Sequence, residues 1–164
     1  MSALVRCVEE QLGELPGAEP WRSAVLACAV ELQRALRGDD VHAVDAAVAR
    51  LAGLGEGSTP AGDDYIVGVL HALRVRPRAD ALAAHGPRDC VRLAEIAAAR
   101  TTSLSAEWLR EAGRGEASPR WRSLLDALER GDERRVRAAA RSVRASGHTS
   151  GAFSLRGFLD TVAG

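Results

Sequence analysis

An all-α bundle is the architecture this 164-residue sequence predicts, and composition, apolar spacing and helix punctuation each point to it. The apolar 46% is dominated by Ala and Leu, and only six residues are aromatic: Trp21, Tyr65, Trp108, Trp121, Phe153 and Phe158. Ala and Leu are strong helix formers, whereas strands draw on β-branched and aromatic side chains. Apolar residues recur three or four positions apart along most of the chain, the spacing of one buried helical face. Gly, Pro, Ser, Thr and Asp stand where such stretches begin or stop. A length of about 100–200 residues suits one domain, so residues 1–164 are read as a single helical domain able to bury a core.

Taken in order, Ala3 to Leu15 reads as a short helix stopped by Gly13 and Pro16, with a turn from Gly17 to Pro20. Trp21, Val25, Cys28, Leu32 and Leu36 mark a second helix, which Gly38-Asp39-Asp40 breaks while capping the third. Val41, Val44, Val48 and Leu51 carry that third helix into the glycine-dense stretch from Gly53 to Gly62. Tyr65 to Leu73 is apolar enough for a buried helix, closed by the run Arg74-Val75-Arg76-Pro77-Arg78. Cys90 to Ala99 is helical, Thr101-Thr102-Ser103 interrupts it, and Ser105, Trp108, Leu109 and Ala112 form the next amphipathic segment. Gly113 to Pro119 reads as a loop, and Trp121, Leu124, Leu125 and Leu128 as a helix ended by Gly131. Asp132 caps the following helix, whose inner face is Val136, Ala139, Ala140 and Val143; Phe153 to Val162 closes the chain. The total is about eight helices, several of them entered through polar, glycine-bearing loops.

Several function classes drop out early. Net charge is zero, with 22 basic and 22 acidic residues, so nothing drives the chain toward nucleic acid or anionic membrane. Every basic residue other than histidine is arginine, which removes Schiff-base and P-loop lysine chemistry. Arg134, Arg137, Arg141 and Arg144 recur at helical spacing; without aromatic interleaving they read as a solvated outer face, or as a contact for an acidic partner. Cys7, Cys28 and Cys90 are widely spaced with no Cys-x-x-Cys, which argues for reduced thiols in a cytoplasmic setting and against a zinc site. No stretch of 18 apolar residues suggests a membrane span.

Three loops concentrate the chemistry. In Gly53-Leu54-Gly55-Glu56-Gly57-Ser58-Thr59-Pro60-Ala61-Gly62-Asp63-Asp64, glycines permit close backbone approach to a ligand. Thr59 suits an N-cap and Pro60 the first helical position. Asp63 and Asp64 then fall in the first turn, where amides and the helix dipole attract phosphate or carboxylate. Two adjacent acids point in different directions, so at most one fully serves the dipole. The other is free to act as a base, accept a substrate amide or hold Mg²⁺. The plainer alternative is that both only complement the dipole. The second loop, Thr101-Thr102-Ser103-Leu104-Ser105, has four hydroxyls where one cap suffices; Ser105 can cap alone. The third, Ser146-Gly147-His148-Thr149-Ser150-Gly151, offers Thr149 or Ser150 as a cap and His148 at the helix entrance, able to titrate near neutrality. His42, His71 and His85 lack such surroundings.

These motifs, the glycine-rich Thr-Pro-Ala-Gly-Asp-Asp stretch, Thr101-Thr102 with Ser105, and Gly147-His148-Thr149-Ser150-Gly151, resemble in the same order those of a bacterial family. That family is assigned as a subunit of oxamate carbamoyltransferase and occurs with purine and allantoin degradation. The resemblance spans residues 45–160 and takes in Gly55, Gly57, Thr59, Pro60, Gly62, Asp63, Asp64, Thr102, Ser105, Gly147, Ser150 and Gly151. It implies a carbamoyl-transfer setting with carbamoyl phosphate and a small amide or carboxylate as ligands. The chain looks like the C-terminal helical half of such proteins, and Phe153 stands where they usually carry an acid.

The expectation is therefore an enzyme or enzyme subunit, with Asp63, Asp64 and His148 as acid/base groups. Gly55, Gly57, Thr59, Gly62, Thr102, Ser105, Gly147 and Ser150 would hold the substrate. No cofactor is expected beyond Mg²⁺ at Asp63/Asp64, and no nucleic-acid or membrane partner. A homo-oligomer or a hetero-complex is expected. A repurposed lyase, isomerase or hydrolase and a non-catalytic metabolite-binding subunit are the alternatives.

Overall fold

The computed structural model describes residues 3–16, 20–75 and 86–163. Residues 17–19 of the expected Gly17 to Pro20 turn, residues 76–78 of the run Arg74 to Arg78, and His85 lie outside them. Among the described residues the chain forms nine helices: α1 (Ala3–Glu9), α2 (Trp21–Leu36), α3 (Val41–Leu51), α4 (Ala61–Val75), α5 (Pro87–Ala98), α6 (Ser103–Arg114), α7 (Pro119–Glu129), α8 (Glu133–Arg144) and α9 (Ser150–Ala163). The all-α class stands. No described helix is long and apolar enough to cross a membrane.

The caps follow local chemistry. Asp40 accepts the amides of His42 and Ala43, and Asp132 that of Arg135, so two helices start where the acids stand. Ser118 caps α7 and Thr102 caps α6, each accepting one first-turn amide. Two expected boundaries move at α6. Ser105 does not cap α6, because Thr102 does so and the Ser105 hydroxyl is engaged elsewhere. Gly113 lies inside α6, where a Cβ would come 2.5 Å from that of Ala94; the glycine serves the α5–α6 crossing, and the helix stops at the left-handed Gly115.

Two apolar clusters meet at α4 and α9. One gathers α2, α3, α5 and α6 on α4, with Phe153 from α9; the other gathers α1, α7 and α8 on α9, with Ala72 from α4. The helices α4 and α9 are buried over most of their surface. They touch backbone to backbone: a Cβ at Gly68 would lie 1.8 Å from the Ser154 carbonyl oxygen, and one at Gly157 2.0 Å from that of Tyr65. Only glycine fits such an approach, and it brings the two N-terminal loops into reach of each other. A polar clamp ties the same helices to α2, as Gln33 donates to Tyr65 Oη (3.1 Å) and Thr161 Oγ1 (2.9 Å), and Tyr65 donates to Asp160 (2.8 Å).

The arginine stripe is not simply a solvated face. Arg137 pairs with Glu10 at 3.0 Å, Arg141 meets Gln11, and Arg144 donates to the carbonyls of Leu12 (2.8 Å) and Glu14 (3.1 Å). The stripe therefore holds α1 and the segment after it against α8. Those last carbonyls follow a helix that ends earlier than expected, at Glu9, and they need donors.

Candidate functional site

The three loops converge on the start of α4. Its first acid, Asp63, is fully buried and accepts three hydrogen bonds: Oδ1 from the Gly53 amide (2.8 Å), and Oδ2 from the hydroxyls of Thr101 and of Ser105 (2.8 Å). Gly53 takes a positive φ of 76° beside the Arg100 carbonyl, where a Cβ would come within 2.6 Å. Glycine is thus needed there for the turn and for the approach to the second loop. Thr102 adds a bond from its hydroxyl to the Ser58 carbonyl (2.5 Å). The third loop closes on the first through the hydroxyls of Thr59 and Ser150, 3.0 Å apart.

The two adjacent acids divide their roles. Asp63 staples the first loop to the second, and both of its oxygens are occupied. Asp64 is also buried, but its Oδ2 has no partner. Burial is the main cause that pushes the Asp64 carboxyl up to about 8; the neighbouring Asp63 adds to this, and a hydrogen bond from the Ser150 hydroxyl opposes it. Asp64 is consequently protonated for the most part at pH 7. Thr59, Ser150 and Asp64 form a chain of hydroxyls ending on a carboxyl.

Asp64 stands in the wall of a cavity of about 350 Å³ between α4, α6, α7 and α9, within the range of small-molecule sites. Its polar wall includes Ser150 and Ser154, and its aromatic wall Trp108, Trp121 and His71. The rings of His71 and Trp121 lie 4.7 Å apart, and Trp121 rests in turn on Phe158 at 5.5 Å. Burial, with Arg74 nearby, lowers the His71 imidazole to about 4, so it faces the cavity uncharged at neutral pH. Glu111, Glu116 and Arg120 stand toward the exposed side; Glu116 pairs with Arg114 at 3.0 Å, and Arg120 donates to the Ser142 carbonyl at 2.8 Å.

The expected site residues fall into groups. Asp64 and Ser150 belong to the cavity, while Thr59 reaches it through Ser150. Asp63, Thr102 and Ser105 knit the loops together beside it. Helix α4 begins at Ala61, so Thr59 is not its cap and Pro60 precedes it, its carbonyl accepting the amides of Asp63 and Asp64. Gly62 sits 2.1 Å, measured from a built Cβ, from the Leu51 carbonyl oxygen and packs α4 on α3. Gly55 turns at the start of α4 beside Ala61, Gly57 is exposed in open space, and Gly147 turns beside Ser150. The phosphate cradle expected of the first loop meets an obstacle: the Gly53 amide serves Asp63, and the Gly62 amide serves the Leu54 carbonyl (2.8 Å).

His148 is exposed and is not in the cavity wall. The imidazole in the wall is that of His71, set aside in the sequence because it lacks the glycine-bearing loop in which His148 stands. Its signal was spacing, since Asp64, Val67 and His71 lie three and seven positions apart on one helical face. Phe153, at the position where an acid is usual, is fully buried against Trp21 (rings 5.9 Å apart) and contributes to the core. At Asp63/Asp64, where Mg²⁺ was expected, Asp63 already accepts three hydrogen bonds. Among the described residues no group of three or more His, Cys, Asp or Glu gathers to hold a metal.

A model of the family described as oxamate carbamoyltransferase subunit AllH matches residues 51–162, a span that contains all three loops and the whole cavity. Comparison with curated proteins and with solved structures gives no match. With more than half of its length so matched, the chain belongs to the oxamate carbamoyltransferase subunit AllH family.

Proposed function

We propose that the chain serves carbamoyl transfer as one subunit of a hetero-complex, and that its cavity holds the nitrogen acceptor. The observation that carries this reading is Asp64, a buried carboxyl raised to about 8 among the residues lining a ligand-sized cavity. In the reaction the acceptor nitrogen attacks the carbamoyl carbon of carbamoyl phosphate. The N–C bond forms, the bond from that carbon to the phosphate oxygen breaks with its electron pair leaving on phosphate, and the nitrogen proton passes to the Asp64 carboxylate. A carboxyl near 8 is a stronger base than an ordinary aspartate and is still partly ionised at neutral pH, which matches a proton acceptor to its task. Ser150 holds the group in place.

The carbamoyl phosphate itself belongs on a partner subunit. Two amides that could cradle a phosphate are committed within the chain, and the cavity's arginine, Arg120, is engaged with a carbonyl. The test is phosphate release from carbamoyl phosphate by the complex affinity-purified from its native host, with an amide acceptor present. Asp64→Asn lowers the rate about 10²–10⁴-fold, the usual contribution of a positioned acid or base. Release that is unchanged in Asp64→Asn, or absent from the wild-type complex, refutes the reading.

A further inference from the structure

Asp64 borders the cavity but offers it almost no surface: the residue is 4% exposed, and its Oδ2 is buried and makes no hydrogen bond. A base so placed needs a neighbour to carry its proton. Its carboxyl takes a hydrogen bond from the Ser150 hydroxyl. Ser150 opens α9, is half-buried and lines the same cavity. Its Oγ lies 3.0 Å from the hydroxyl of the half-buried Thr59, where the third loop meets the first. On another side a Cβ at the left-handed Gly147 would come within 3.2 Å of that Oγ. The Ser150 hydroxyl is thus confined by Asp64, Thr59 and Gly147.

A hydroxyl has one proton to give and lone pairs with which to accept. Facing ionised Asp64, Ser150 gives its proton to the carboxylate and accepts that of Thr59. Facing protonated Asp64, it accepts from the carboxyl, and its own proton is free to turn away. The bonds therefore reverse with the charge on Asp64. The other polar groups around the cavity are occupied or distant from this exchange. On α4, Asp63 is bound by three donors and His71 is uncharged. Glu111 of α6 stands on the exposed side, and Glu116 beyond it pairs with Arg114. Arg120 of α7 donates to Ser142 and Ser146, and Ser154 of α9 to the Gly151 carbonyl. Among these described residues only Asp63 acts on the charge of Asp64.

We propose that Ser150 is a catalytic residue, the relay through which the acceptor's proton reaches Asp64, and that Thr59 is the positioning residue that orients its hydroxyl. This assignment rests on Asp64 as the proton acceptor and gives that proton its route. As the nitrogen attacks, its N–H bond breaks and an O–H bond forms at Ser150 Oγ. The proton that Ser150 already carried passes to the Asp64 carboxylate. Ser150 ends with one proton, as it began, and Asp64 gains one. While its own proton departs, Oγ gathers negative charge, and the Thr59 hydroxyl donates to it.

The test is phosphate release from carbamoyl phosphate, with oxamate as acceptor, followed between about pH 6 and pH 9 in the complex affinity-purified from its native host. In wild type the rate climbs about tenfold per pH unit and levels off near pH 8, as Asp64 ionises. Ser150→Ala lowers kcat about 10²-fold and flattens this profile, because the base is cut off from the acceptor. KM for oxamate changes by less than about threefold. Thr59→Val lowers kcat about tenfold, and Thr59→Ser recovers it. Circular dichroism confirms that each variant is folded. A hydroxyl with a merely structural role would lower the rate alike at every pH and leave the profile intact. Ser150→Ala with the wild-type profile, or Thr59→Ser no faster than Thr59→Val, overturns the relay. If Asp64→Asn is slow while Ser150→Ala is not, the relay falls and the proton acceptor stands; a wild-type rate in Asp64→Asn refutes the acceptor itself.

Discussion

Replacing Asp64 by asparagine stabilises the protein, and does so increasingly as pH rises. The folded carboxyl titrates near 8 and the unfolded one near 3.8, so the folded state binds a proton that the unfolded state has already lost. A raised carboxyl contributes its full share to stability below pH 3.8 and loses it progressively as pH climbs to 8. Each pH unit within that window is worth about 1.4 kcal/mol. Relative to acid solution the wild type therefore gives up about 4 kcal/mol by pH 7 at this one residue. Asparagine has no proton to lose and keeps its side-chain oxygen for the Ser150 hydroxyl. All other titrating groups are common to both proteins and cancel in the difference. For a chain of this size 1 kcal/mol moves Tm by about 2–4 °C, so the Tm advantage of Asp64→Asn grows by about 8–16 °C between pH 4 and pH 7. Paired thermal melts across that range measure it. A difference in Tm that stays flat with pH refutes the claim that Asp64 is buried and protonated.

Other outcomes follow from the same geometry. Asp63→Ala removes the acceptor of three hydrogen bonds, leaves the half-buried Gly53 amide without that partner and lowers stability by about 3 kcal/mol in chemical denaturation; a loss below about 0.5 kcal/mol contradicts its role as a staple. Gly157→Ala places a methyl 2.0 Å from the Tyr65 carbonyl oxygen and forces α4 and α9 apart, costing about 3 kcal/mol or preventing folding; a native melting curve rules out the tight crossing. Arg144→Ala frees the carbonyls of Leu12 and Glu14, and hydrogen exchange of the segment following α1 quickens while that of α4 is unchanged. His148→Ala leaves Tm and phosphate release by the complex at wild-type values, since the residue is exposed and outside the cavity; slowed release would return His148 to the site.

Much of the fold was legible because its signals are local. Apolar spacing placed the helices, and Asp40 and Asp132 marked helix starts that needed nothing beyond the next three residues. The site was legible as three loops and as a pair of acids of which only one is free. Which acid does what was not, because the partners of Asp63 lie 10, 38 and 42 residues away. Thr59 reads as a cap for the same reason: its real partner, Ser150, is 91 positions distant. The arginine stripe resembled a solvated face since the segment it binds stands near the opposite end of the chain. His71 was the avoidable miss, as the two helical turns separating it from Asp64 place both on one face.

The proton on Asp64 joins the stability and transfer arguments, and it can be observed directly. In protein labelled with ¹³C at aspartate carboxyls, the Asp64 resonance, assigned by its absence from Asp64→Asn, is followed through a pH titration. The account predicts a midpoint at about 8. A midpoint at the ordinary aspartate value of about 4 would contradict it.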